Sequence, residues 1–191
     1  PPFADRDTLG YYYGLYIDSG NGYIENGPAV TTVTPTTTGG INAFFEMTVG
    51  GTRKLCALAS RYVKVRNGDS PSGWATAQDL GVGVVSRRAA VFRGSQATDF
   101  AFIAANTGAN YWGWNGASDT TTFTQDTDDH AITFVNYRDE LWRVYLDGGT
   151  AGYWIAKTYA GGTNAAWSGG LRVTDRSNPA TDMAVFNQRL Y

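Results

Sequence analysis

Four apolar-x-Phe elements at near-regular spacing constrain this chain more than any other feature. They read Asn42-Ala43-Phe44-Phe45, Ala89-Ala90-Val91-Phe92, Ala131-Ile132-Thr133-Phe134 and Met183-Ala184-Val185-Phe186. Their final phenylalanines lie 47, 42 and 52 residues apart. An aromatic strand entered from a short turn recurs at Gly22-Tyr23, Arg61-Tyr62, Asn110-Tyr111 and Gly152-Tyr153, with spacings of 39, 49 and 42. A period of this size marks units that cannot bury their apolar faces alone and must stack on one another.

Helical periodicity is almost absent. Short runs rich in Val, Thr, Tyr, Phe and Trp are separated by Gly, Asn, Asp and Ser, which is the pattern of short strands. Strands are expected at 14–18, 22–25, 31–34, 43–49, 54–59, 62–66, 74–77, 88–93, 99–104, 110–114, 121–125, 131–136, 141–146, 152–158, 165–167 and 183–187. Ser19-Gly20-Asn21-Gly22, Val49-Gly50-Gly51, Asn67-Gly68-Asp69 and Asp147-Gly148-Gly149 supply the positive backbone angles of tight hairpins.

The expected fold is all-β: a four-bladed β-propeller with the first blade closed by the C-terminal strand. The step from Phe186 through the chain ends to Phe45 is 50 residues, so the repeats close on the full 191. Residues 1–191 then form a single all-β domain of four repeats, 1–40 plus 181–191, 41–87, 88–129 and 130–180. Each blade is a four-stranded antiparallel sheet, and ring closure protects the edges. A β-trefoil is the alternative, since its hairpins resemble Ala59-Ser60-Arg61-Tyr62-Val63-Lys64-Val65, but it needs three units where this chain offers four.

The segment Ile41-Asn42-Ala43-Phe44-Phe45, with Lys54-Leu55-Cys56-Ala57-Leu58 and Arg61-Tyr62-Val63-Lys64-Val65, resembles one hemopexin-type repeat. It is most similar in style to the legume-seed albumin-2 proteins. Arg88 through Trp114 and His130 through Trp154 follow the same order of elements. The resemblance implies inner strands whose carbonyls face a central channel holding an ion or water; a Ca²⁺ or Na⁺ ion there would be the only cofactor. Only Asn42 keeps the polar residue before alanine; Ala89, Ala131 and Met183 depart from it. Cys56 alone cannot supply the cysteine pair of the animal members, which argues against a haem-binding or matrix role.

Charge narrows the functional classes. The formal net charge is -2, with no basic stripe, which argues against a bulk nucleic-acid binder. No apolar run reaches the 18 or so residues of a membrane helix. The single cysteine forms no internal disulfide and no metal cluster. A reducing, cytoplasmic setting is the simpler reading, and secretion without disulfides stays open.

Enzyme signals are thin: one histidine, no Gly-x-Ser-x-Gly elbow and no phosphate cradle. Asp126, Asp128, Asp129 and His130 form the densest acidic cluster, readable as a Ca²⁺ ligand set or as a tight turn before a strand. Glu46 and Asp99 are a formal carboxylate pair with nothing to single them out. Cys56 reads as a small buried hydrophobe. Of Arg87 and Arg88, one is expected to need an acidic partner.

Aromatic residues are the stronger lead. Trp112 and Trp114 alternate on one strand face while Tyr111 points the other way. Trp74 and Trp167 follow small, polar loops and suit stacking on a sugar ring, or packing between blades. The candidate carbohydrate-binding residues are Trp74, Trp167, Trp114, Asn164, Asp69 and Tyr23. The expectation is a non-enzymatic lectin with repeated shallow sites for glycans or glycoproteins, compatible with a homo-oligomer. A storage or small-ligand protein of the albumin-2 kind and a glycan-processing enzyme are the alternatives.

Overall fold

The computed structural model describes residues 15–18, 23–26, 40–66, 73–95, 98–105, 110–116, 123–147, 149, 152–161 and 166–191. Two compact units are distinguished, Pro1–Thr34 and Pro35–Tyr191. The first contains an antiparallel hairpin of β1 (Leu15–Asp18) and β2 (Tyr23–Asn26).

The second unit contains three four-stranded antiparallel sheets in simple up-and-down order. The first comprises β3 (Ile41–Val49), β4 (Thr52–Ala59), β5 (Tyr62–Arg66) and β6 (Trp74–Asp79). The second comprises β7 (Ser86–Val91), β8 (Ala101–Ala105), β9 (Asn110–Trp114) and β10 (Phe123–His130). The third comprises β11 (Thr133–Tyr137), β12 (Glu140–Asp147), β13 (Gly152–Thr158) and β14 (Ser168–Asp175). A two-stranded hairpin of β15 (Val185–Phe186) and β16 (Arg189–Leu190) follows. The all-β, antiparallel character expected from the strand pattern is therefore present. No closed barrel of the trefoil type occurs among the described residues.

Strand alternation decides how the sheets stack. On one face of the first sheet Phe45, Met47, Cys56, Leu58 and Val63 are buried against Ala101, Ile103, Trp112 and Trp114 of the second. The opposite face of the second sheet carries Phe100, Phe102 and Tyr111, buried against Phe134 and Leu141 of the third. The far face of the third buries Val144 and Tyr153 with Met183, beside Leu190 of the C-terminal hairpin. The split of Trp112 and Trp114 from Tyr111 is the two-residue period at work. Each large apolar side chain so buried contributes roughly 1.5–3 kcal/mol.

The leading strands also meet. Strand β7 lies against β3 and β11. Asn42 Nδ2 donates to the Ser86 carbonyl at 2.6 Å, and Asn136 Nδ2 donates to the Val91 carbonyl at 2.8 Å. Arg88 of the pair has an acidic partner: its Nη2 lies 2.5 Å from Asp182 Oδ2, in an exposed contact.

Several boundaries move. The strand expected at 165–167 begins only at Ser168 and runs to Asp175. Gly170 there lies against the Trp154 ring and the Tyr145 hydroxyl, and a Cβ would come within 2.9 Å of that hydroxyl, so a larger residue would have to displace the tyrosine. The expected strand 183–187 is cut at Phe186 by a turn with Asn187 and Gln188 at φ of 47° and 57°, and the chain returns as β16. The Asp126–Asp129 stretch lies within β10, at a register irregularity between Gln125 and His130, and not in a tight turn. The strand expected at 31–34 lies outside the described residues.

Candidate functional site

Of the carbohydrate-binding candidates, the three whose side chains the structure describes, Trp74, Trp114 and Trp167, do not converge. Trp114 is 1% exposed and lies in the core between the first and second sheets, so its ring has no free face for a sugar. Trp167 is half-buried between the second and third sheets. Its Nε1 donates to the Tyr111 hydroxyl at 2.9 Å, its ring stacks on Phe134, and the Arg143 guanidinium lies 4.2 Å above it. This is the packing role rather than the sugar-stacking one. Trp74 opens β6 opposite Arg66, half-buried, with its ring 6.3 Å from that of Phe44, itself 48% exposed. Tyr23 stands on β2 opposite Asp18, and its side chain, like Asn164 and Asp69, lies outside the described residues.

Two clefts open instead between neighbouring elements. The first, about 890 Å³, lies between the first and second sheets, and its mixed lining includes Thr48, Lys54, Thr76, Arg93, Asp99 and Asn115. Trp114 forms part of its wall. Asp99 Oδ2 accepts the Thr48 N–H at 2.9 Å, and Arg93 Nε stands 3.8 Å from Oδ1. The backbone hydrogen bond, with smaller help from Arg93 and Arg53, holds the carboxyl below its ordinary value. Glu46 pairs with Arg53, so the two carboxylates that might have formed a hydrolytic pair serve separate ionic contacts.

The second cleft, about 570 Å³, lies between the third sheet and the C-terminal hairpin. Tyr137, Trp142, Ile155, Leu171 and Leu190 give it an apolar lining. Lys157 brings polarity: its Nζ lies 2.7 Å from Glu140 Oε1 and 3.2 Å from the Tyr159 hydroxyl, and 5.4 Å from the Trp142 ring centre. Lys157 and Tyr159 hold the Glu140 carboxyl below its ordinary value, and Glu140 raises Lys157 in turn. The rings of Tyr137 and Trp142 stand 6.4 Å apart at 59°.

Sequence reasoning passed over Trp142 because nothing in a run such as Glu140-Leu141-Trp142 distinguishes a core ring from a groove ring. The available signal was alternation: Leu141 is fully buried, so Trp142 must face the other side. Cys56 is buried as expected, and burial pushes its thiol up to about 12, which leaves it inert as a nucleophile. No cluster of His, Cys, Asp and Glu able to hold a metal occurs among the described residues. No described helix is long and apolar enough to cross a membrane. No protein-family model, curated protein or solved structure matches the chain.

Proposed function

We propose that the chain is a carbohydrate-binding protein whose sites are grooves between stacked sheets. The observation that carries this reading is the groove of Tyr137 and Trp142 bordered by the Glu140–Lys157 ion pair. Two tilted rings give an apolar platform for the C–H face of a sugar. A fixed carboxylate and ammonium beside them suit its hydroxyls. Trp74 and Phe44 offer a second, smaller aromatic surface of the same kind. Repeated weak sites of this sort act through multivalency on glycans or glycoproteins.

The finer architecture belongs to the same proposal: a four-bladed propeller whose first repeat is completed by the C-terminal strand. Its support is the sequential face-to-face stacking of three meander sheets with leading strands side by side. In a closed ring, joining residues 191 and 1 through a short Gly-Ser linker raises the melting temperature. An open array shows no gain.

A broad glycan array with and without Ca²⁺ tests the function. Saturable binding to one glycan class, lost in Trp142→Ala and kept in Trp167→Phe, is the expected result. A blank array with folded protein overturns it.

A further inference from the structure

We infer that the groove between the third sheet and the C-terminal hairpin selects an acidic sugar, and that Arg189 makes the selection. The sugar part rests on the carbohydrate reading above; the preference for an anion stands on the charges around the groove.

Those charges are unequal. Among the described residues that line the groove, Lys157 and Arg189 are cationic and none is acidic. Lys157 is already committed: its Nζ meets Glu140 Oε1 at 2.7 Å and the Tyr159 hydroxyl at 3.2 Å. The Glu140 side chain is 10% exposed against 32% for Lys157, so the carboxylate sits behind the ammonium and does not repel an incoming anion. In the turn between β11 and β12, Arg138 and Asp139 carry opposite charges and leave the balance unchanged; the Arg138 guanidinium lies 5.0 Å from the Tyr137 ring centre. Arg189 is different. It is exposed on β16, and among the described residues no carboxylate pairs with it.

The backbone that carries Arg189 is held beside the aromatic platform. The Tyr137 hydroxyl donates to the Gln188 carbonyl at 2.7 Å, and Leu190 packs beside Met183. Both neighbours of Arg189 are therefore fixed, while its long side chain keeps its fork for a ligand. Tyr137 supplies the tether and also a ring of the platform, so a sugar lying on Tyr137 and Trp142 has its edge within reach of the guanidinium. A carboxylate or a sulfate ester matches that fork in a bidentate contact. Ile155, Leu171 and Leu190 give the groove apolar walls, where a charge contact is screened less than on an open surface. The volume of about 570 Å³ lies within the range of small-molecule sites, roughly 300–1,000 Å³.

An NMR titration at low salt tests this. The probes are methyl β-D-glucuronide and methyl β-D-glucoside, which differ only in carrying a carboxylate or a hydroxymethyl group, and cyclohexanecarboxylate, an anion without hydroxyls. The glucuronide should shift the Trp142 indole signal and bind about fivefold tighter than the glucoside, the scale of one exposed ion pair. Added salt should weaken the glucuronide more than the glucoside. Arg189→Gln should abolish the preference and keep glucoside binding, Arg189→Glu should reverse the preference, and Trp142→Ala should lose both sugars. Arg189 is exposed, so both of its variants keep the fold. Equal affinity for the two sugars, or an undiminished preference in Arg189→Gln, overturns the inference and leaves the carbohydrate reading intact. Cyclohexanecarboxylate matching the glucuronide shows that the hydroxyls add nothing and overturns the sugar class inferred here. Neither sugar binding to folded protein overturns the carbohydrate reading and the inference together.

Discussion

Trp167 donates its indole N–H to the Tyr111 hydroxyl at 2.9 Å, joining the segment that leads into β14 to β9 of the neighbouring sheet. Arg143, 3% exposed, lies against the same pair, 4.2 Å from the Trp167 ring and 5.8 Å from that of Tyr111. The tryptophan satisfies its polar atom, stacks on Phe134 and faces a buried cation, all between two sheets. Trp167→Ala should therefore cost about 3–5 kcal/mol in urea unfolding. Tyr111→Phe, which removes only the hydroxyl, should cost about 1 kcal/mol. Equal, small losses for both variants would contradict this packing role.

Gly94 holds a second junction. It forms an isolated antiparallel bridge with Ala160, at φ +56°, and a Cβ would lie 2.5 Å from the Tyr159 carbonyl and 2.6 Å from the Gly161 nitrogen. Those atoms are backbone and cannot swing aside. Gly94→Ala should cost more than about 2 kcal/mol, from backbone strain and overpacking together. Gly50 has a similar φ of +58° but open space around it, so Gly50→Ala should cost only about 1 kcal/mol. A chemical denaturation midpoint for each variant separates clash from strain.

The all-β, antiparallel character was legible because Gly-bounded, β-branched and aromatic runs have few other uses. The assignment of faces on β9 followed from Tyr111, Trp112 and Trp114 alone. The start of β14 was not legible, because Ser168-Gly169-Gly170 has poor strand propensity and is held by pairing with β13 and by the Trp154 ring. The final turn was missed because Gln188 gives no turn signal, although its φ is +57°. The site was the least legible. Trp114 and Trp142 occupy comparable alternating strands, and only the neighbouring element decides that one is sealed and the other borders a groove.

Asp182 ties the C-terminal hairpin to two sheets. Its Oδ2 meets Arg88, and its Oδ1 accepts from the Thr133 hydroxyl and the Met183 N–H, each at 2.9 Å. The Arg88 contact is exposed, so its global worth is small, about 1 kcal/mol or less. The local effect should be larger. In Asp182→Ala the amides of Ala184 and Tyr191, paired with each other's carbonyls, should exchange with solvent markedly faster. Unchanged protection at both amides would show that the hairpin is held by Met183 and Leu190 packing alone.

Glu140 makes the groove of the third sheet sensitive to acid. Lys157 and Tyr159 hold its carboxyl below the ordinary value in the folded chain. A carboxyl with a depressed folded value contributes stability that is fully present above its unfolded value, about 4.3, and is lost as pH falls through the folded one. Lys157, raised by the same contact, contributes below its ordinary value and loses its part only as pH climbs through the raised one, above 10.5. Between those limits the pair is charged on both sides. The melting temperature of the wild type should therefore exceed that of Glu140→Gln from about pH 5 to pH 9, and the gap should close as pH falls through the lowered folded value of Glu140. Asp99 adds a parallel acid dependence through its Thr48 contact, which the Glu140→Gln comparison cancels. A difference that persists undiminished at pH 3 would mean that shape, not charge, is what Glu140 supplies beside Trp142.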